Sequence, residues 1–309
     1  MSNKNASLGT LGEDLRVSFR LAYKNAISFL LGLIGVLIVT VIILGIAFGL
    51  AMIPITIYYG GFHGIATFFT DLGVILEQAF VPPSSFNPAA MGFVVSIILL
   101  FLSPFLIAIG APFGMAREIV ESAGTSAEGV FTWYRKKFFS LAGGGILIFA
   151  IALLPLVLMY GSAFFVFGFQ VPLLVNSMMA SVGGFWLILS LGMLSLVFPA
   201  IIDGLSAFSA VKQSIRMGIT YFDRVFSTLL AFIGIFVLCA IPLIVGIATI
   251  DISAMAILAV VAVPLGLFLV LIALPAFFIS LSRIYMILSG IEVAADEPTE
   301  PEVSFIGGF

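Results

Sequence analysis

Apolar residues run through this chain in long uninterrupted stretches, and the few charges fall between them. No Asp, Glu, Lys or Arg occurs over residues 25–70, 78–116, 138–202, 225–250 or 252–282. An α-helix rises about 1.5 Å per residue, so about 20 apolar residues cross the hydrocarbon core of a bilayer. Each charge-free stretch therefore holds at least one span, and 138–202 is long enough to cross, turn and return. The pattern predicts an all-α polytopic membrane helix bundle. Its six spans lie near residues 26–55, 90–115, 141–167, 181–202, 225–249 and 254–281, with Pro264 and Pro275 as kink sites in the last.

Shorter stretches before three of the spans follow a different period. Leu11, Leu15, Phe19, Ala22 and Tyr23 recur at three- and four-residue spacing, as do Ala127, Val130, Phe131, Tyr134 and Phe138, and then Phe208, Val211, Ile215, Ile219 and Phe222. That spacing draws one apolar stripe down a helix. Arg16, Arg20 and Lys24, then Arg135, Lys136 and Lys137, then Lys212 and Arg216 accompany these stripes, as expected of helices lying in the headgroup layer. These eight residues are the candidates for lipid headgroup contact.

The three lead-ins also resemble one another. Tyr23-Lys24-Asn25-Ala26-Ile27-Ser28, Tyr134-Arg135-Lys136-Lys137-Phe138-Phe139-Ser140 and Tyr221-Phe222-Asp223-Arg224-Val225-Phe226-Ser227 each open into a span, and the paired spans return through Pro112, Pro199 and Pro275. Three copies of one hairpin unit are expected, over roughly 9–118, 124–203 and 204–288, forming one membrane domain from 1 to 288. All 12 Lys and Arg fall in connections on one side of these spans; the opposite connections hold only acidic or neutral groups. By the positive-inside rule both termini are expected in the cytoplasm of a multi-pass cell-membrane protein.

Composition sharpens the class and removes alternatives. The chain is 62% hydrophobic and 9% charged, against about 25% charged in soluble domains. Its net charge of −3 hides an acidic tail, with Glu292, Asp296, Glu297, Glu300 and Glu302 beyond the last span. That tail, 289–309, is expected to be disordered in isolation, and its Phe305-Ile306-Gly307-Gly308-Phe309 end is a candidate for docking a membrane or cytoplasmic partner. One cysteine, Cys239, excludes an intrachain disulfide. The first apolar run is too long for a cleaved signal peptide, so the N-terminus is expected to be retained.

These lead-ins, proline-bearing returns and basic connectors together resemble the membrane domain of glycerophosphoryl diester phosphodiesterases and related prokaryotic, including archaeal, six-span proteins. The resemblance implies a six-span membrane body. The family's soluble phosphodiesterase domain has no counterpart here, so its hydrolytic activity is not carried over.

Candidate chemistry is sparse. The spans contain no Asp, Glu, Lys, Arg or His, so an ion-coupled pump is disfavoured. His63, Thr67 and Asp71 share a face in the outer connection, opposite a stripe of Phe62, Ile65, Phe69, Leu72, Leu76 and Phe80. Residues 62–80 are read as a re-entrant or interfacial helix with a hydrated polar face, since one His and one carboxylate cannot build a zinc site. Gly45 with Gly49, and Gly110 with Gly114, have the spacing of close helix packing, within the chain or in a homodimer. Gly143-Gly144-Gly145 lacks the Lys and Ser/Thr of a phosphate loop and suggests close packing or a bend. Asp203 reads as a turn residue, and Asp223 beside Arg224 as a solvated pair. No catalytic, metal or cofactor site and no nucleic-acid partner is expected. The chain reads as a non-catalytic membrane protein that organises lipid or accompanies a membrane complex; the alternative is a transporter or exporter of a neutral or amphiphilic small molecule.

Overall fold

A computed structural model of the chain describes residues 8–58, 61, 66–67, 70, 103–122, 124–126, 128–167, 171–249, 261, 263–291 and 293. Among these, 91% are helical and none is in a strand. Six helical stretches are long and apolar enough to cross a membrane: Ala26–Leu50, Ser103–Ser122, Gly129–Phe167, Leu173–Ile202, Phe222–Pro242 and Val263–Ser289. The second and sixth run past Arg117 and Arg283, where charge was expected to end them. Both guanidiniums have carboxylate partners, so the helix carries them inward without leaving a bare charge. His63, Asp71 and most of 62–80, Asp251, and nearly all of the acidic tail lie outside the described residues.

The helices are α1 (Leu8–Lys24), α2 (Ala26–Tyr58), α3 (Ala111–Ser122), α4 (Gly129–Ile148), α5 (Leu154–Phe167), α6 (Leu173–Leu194), α7 (Val197–Ile202), α8 (Ala207–Thr220), α9 (Phe222–Thr249) and α10 (Leu274–Ser289). The backbone breaks at each of the three lead-ins. Asn25 separates α1 from α2, and its Nδ2 donates to the Leu21 carbonyl at 3.0 Å. Lys137 (φ −137°, ψ 18°) kinks α4, and Tyr221 (φ −119°, ψ 42°) separates α8 from α9. Helices α1 and α8 and the start of α4 are thus not straight extensions of the spans that follow them.

Proline explains a second set of irregularities. It lacks an N–H and crowds the carbonyl four residues earlier, so that carbonyl needs another solution. Two widened π turns do this, Phe149–Leu153 before Pro155 and Leu269–Ala273 before Pro275. Pro264 falls instead in the helical stretch preceding the second π turn. Before Pro112 the chain turns at 109–110, and the hydroxyl of buried Tyr134 donates to the freed Ala108 carbonyl. Replacing Tyr134 by Phe keeps the ring but leaves that carbonyl without its donor. The expected cost is about 1–3 kcal/mol, measurable as reduced resistance to unfolding in mixed micelles.

Before Pro199 the chain breaks at 195–196. Ser214 of α8 fills the gap, accepting from the Leu196 N–H at 3.2 Å and donating to the Met193 carbonyl at 2.6 Å.

The core sits at the end of the bundle that carries the basic residues. Phe29, Met115, Ile119, Leu141, Ile201 and Phe278 are fully buried there. At its centre is the second half of α10, in which every residue from Phe278 to Leu288 is buried. Away from this end the helices expose apolar surface: residues 45–50 are exposed in succession, and Phe165 and Leu173 are 88% and 78% exposed. Glycines set the closest approaches in the packed half. A Cβ on Gly145 would press on the Leu106 carbonyl and lie 2.9 Å from Ile107 Cα, so this residue of the Gly143–Gly145 run brings two backbones into contact.

Candidate functional site

Two polar clusters lie at the basic end, and α10 joins both. In the first, the Asp14 carboxylate accepts from Arg224 through Nε (3.1 Å) and Nη2 (3.1 and 2.8 Å) and from Arg283 through Nη1. All three side chains are buried, at 5% exposure or less. The backbone around them is also held: Ser18 Oγ donates to the Asp14 carbonyl at 2.7 Å, and Thr228 Oγ1 to the Arg224 carbonyl at 2.9 Å. An uncompensated charge in such a place is costly, so these residues stabilise each other only as a set.

The second cluster is partly open. Arg117 Nη1 donates to Asp203 Oδ1 at 2.7 Å and its Nε to Glu121 at 2.7 Å, while the Tyr285 hydroxyl donates to Asp203 Oδ2 at 3.1 Å. Asp203 also forms the expected turn: it caps α7 and leads into Gly204, whose φ of +119° favours glycine. Lys137 Nζ donates to the Ile201 and Ile202 carbonyls at 2.8 and 3.0 Å, at the negative end of α7. A cleft with room for about one water lies among Arg117, Pro199, Ile202, Ser282, Tyr285 and Met286. Both carboxylates beside it are engaged by Arg117. Among the described residues no group of three or more His, Cys, Asp and Glu converges as metal ligands do.

No family model, curated protein or solved structure matches this chain. Its residues and geometry therefore carry the functional argument.

The basic candidates divide. Arg16, Arg20, Lys24, Arg135, Lys136, Lys212 and Arg216 are exposed, and Lys136 Nζ lies 5.5 Å from the Trp133 ring centroid. Lys137 departs from the expectation, because the kink at its own backbone turns its ammonium onto the carbonyls of α7. Arg224 also departs: it turns away from exposed Asp223 and binds Asp14 instead. Gly110 and Gly114 sit at crowded contacts with Phe198 and Trp133, whereas Gly45 and Gly49 face open space among the described residues.

Asp14 was absent from the expected site residues. The sequence signal was available in retrospect: Asp14, Val17, Ser18, Leu21 and Ala22 also share a helical face, and that face is the buried one. Tyr23, assigned to the apolar stripe, is exposed.

Proposed function

We propose that this chain is a non-catalytic integral membrane protein that organises lipid or serves as an accessory subunit of a membrane complex. The observation that carries the reading is where its charges and apolar side chains go. The charges drawn into the bundle are held by one another or by backbone carbonyls, while large apolar and basic side chains face outward together. Tyr23 and Ile27 are exposed with Arg20 and Lys24, Phe131 and Phe139 with Arg135 and Lys136, and Phe208, Ile219 and Phe222 with Lys212 and Arg216. In this reading α1, the start of α4, and α8 are interfacial helices on the cytoplasmic face. Each basic residue near an anionic surface adds about 1 kcal/mol of attraction. The side chains of their protein-facing sides are small where contact is closest, as at Ala210, Ser214 and Gly218.

The same reading takes the chain as three hairpin repeats arranged in a ring. The start of α4 packs on the first hairpin, where Val130 and Phe131 meet Gly32 and Gly35 of α2, and Trp133 meets Gly114 of α3. α8 packs on the second hairpin, α6 and α7, and α1 packs on α9 and α10 of the third. Each interfacial helix thus rests on the spans of the preceding unit, and the first rests on the last. A polar side chain of each helix also reaches a broken or charged place in those spans: Tyr134 at Ala108, Ser214 at Met193 and Leu196, and Asp14 at Arg224 and Arg283.

Extraction of the full chain in lipid-preserving polymer, followed by mass spectrometry, tests the function. Enrichment of anionic lipid, or a stoichiometric protein that is lost from a chain ending at Ser289, is expected. Bulk lipid composition with no bound protein would sink the reading. The exposed apolar halves of the spans and the two π turns favour one alternative, a transporter or exporter of a neutral or amphiphilic molecule. Substrate-dependent flux in proteoliposomes would establish it in place of the accessory role.

A further inference from the structure

We propose that Asp14 is the clasp that closes the ring of hairpin units by seating α1 on the third. The inference rests on the threefold reading above. The three joints differ in how the chain serves them. Trp133 donates to Glu118 across 15 residues in the first joint, and Ser214 to Met193 across 21 in the second. In the closing joint Asp14 meets Arg224 across 210 residues and Arg283 across 269. The entropy lost on closing a loop grows with the logarithm of its length, so the third joint closes the longest loops of the three.

Its chemistry differs in the matching direction. All three joints pack apolar side chains, Phe19 stacking on Phe232 in the closing one, but only the closing joint adds a carboxylate buried between two guanidiniums. Such a set is conditional: with Asp14 neutralised, the guanidiniums of α9 and α10 lose the carboxylate that α1 places between them, and α1 loses its charged hold on both helices. Charge also selects this register over a misplaced α1, because another seat for the helix would leave Asp14 buried without its cations. Loss of the Asp14 charge should therefore free α1 while leaving the other two interfacial helices seated.

Hydrogen exchange on the full chain in lipid nanodiscs tests this with Asp14→Asn and Asp14→Glu. In Asp14→Asn, amides of Leu8–Lys24 should exchange on the order of a hundredfold faster, with residues 129–136 and α8 unchanged. Asp14→Glu keeps the charge and should accelerate α1 far less. Unchanged exchange of α1 in Asp14→Asn would overturn the clasp while leaving the repeat reading intact. Equal loosening of all three helices would overturn the repeat reading as well, since the joints would then be one unit. If Asp14→Asn does not accumulate, Arg283→Gln decides in its place, because it leaves Asp14 buried with one cation fewer: loosening confined to α1 supports the clasp, and either no loosening or general loosening overturns it.

Discussion

A chain ending at Ala273, which lacks α10, is expected to lose the packed basic end altogether while its preceding spans still insert. Insertion needs only long apolar helices, whereas the basic-end core is built around α10. The run from Phe278 to Leu288 is buried on all sides, against α1, α3, α7 and α9. Phe278 is the ring against which Phe113 packs edge-on, at 4.9 Å between centroids, and it also stacks on Phe29. Without α10, Asp14 loses Arg283 and Asp203 loses Tyr285. Between helices in lipid, association comes from packing and hydrogen bonds rather than from exclusion of water, so no general apolar attraction would replace these contacts. Limited proteolysis should cut within α1 and the 122–128 connection of the shortened chain but not of a chain ending at Ser289. Equal resistance of the two would refute the central place given to α10.

The second large effect is expected from a single methyl group. Gly145→Ala should destabilise the fold by about 1–3 kcal/mol, because the neighbour it meets is backbone and has no rotamer to escape into. The added carbon would press on the Leu106 carbonyl and Ile107 Cα, forcing two spans apart. Gly161→Ala is the control, since nothing lies within 4 Å of the position and alanine favours a helix interior by up to about 1 kcal/mol. Unfolding of both variants in mixed micelles should separate them by several-fold in rate. A Gly145→Ala protein as resistant as wild type would mean that the two helices are not in backbone contact.

The accessible part of the fold was legible because lipid imposes a severe filter on sequence. About 20 apolar residues per crossing, with charges excluded, leaves a signal that survives without any neighbour in view. Hence the six spans emerged near their places, and the prolines at 112, 199 and 275 marked positions where the backbone departs from an α-helix. The ends of the second and sixth spans were misplaced for a reason equally physical: Arg117 and Arg283 look like stop signals until the acids that neutralise them are seen, and those acids are 86 and 269 residues away.

By itself, then, the sequence determined an all-helical chain with six helices able to cross a membrane, and a basic side on which its cations gather. Only the tertiary structure decided which face of each amphipathic helix meets protein. Hydrophobic periodicity detects the large apolar side chains without telling which meet protein: in α8 Phe208 and Ile219 are exposed, while Val211 and Ile215 of the same stripe pack with Ala210, Ser214 and Gly218 against the bundle. In α1 the stripe residues Leu15, Phe19 and Ala22 do meet the bundle, and Asp14 is buried beside them, a carboxylate that the sequence pattern alone assigns to water. Its burial depends on two arginines brought from the far end of the chain, and no local pattern encodes a pairing that exists only when the helices have closed on one another.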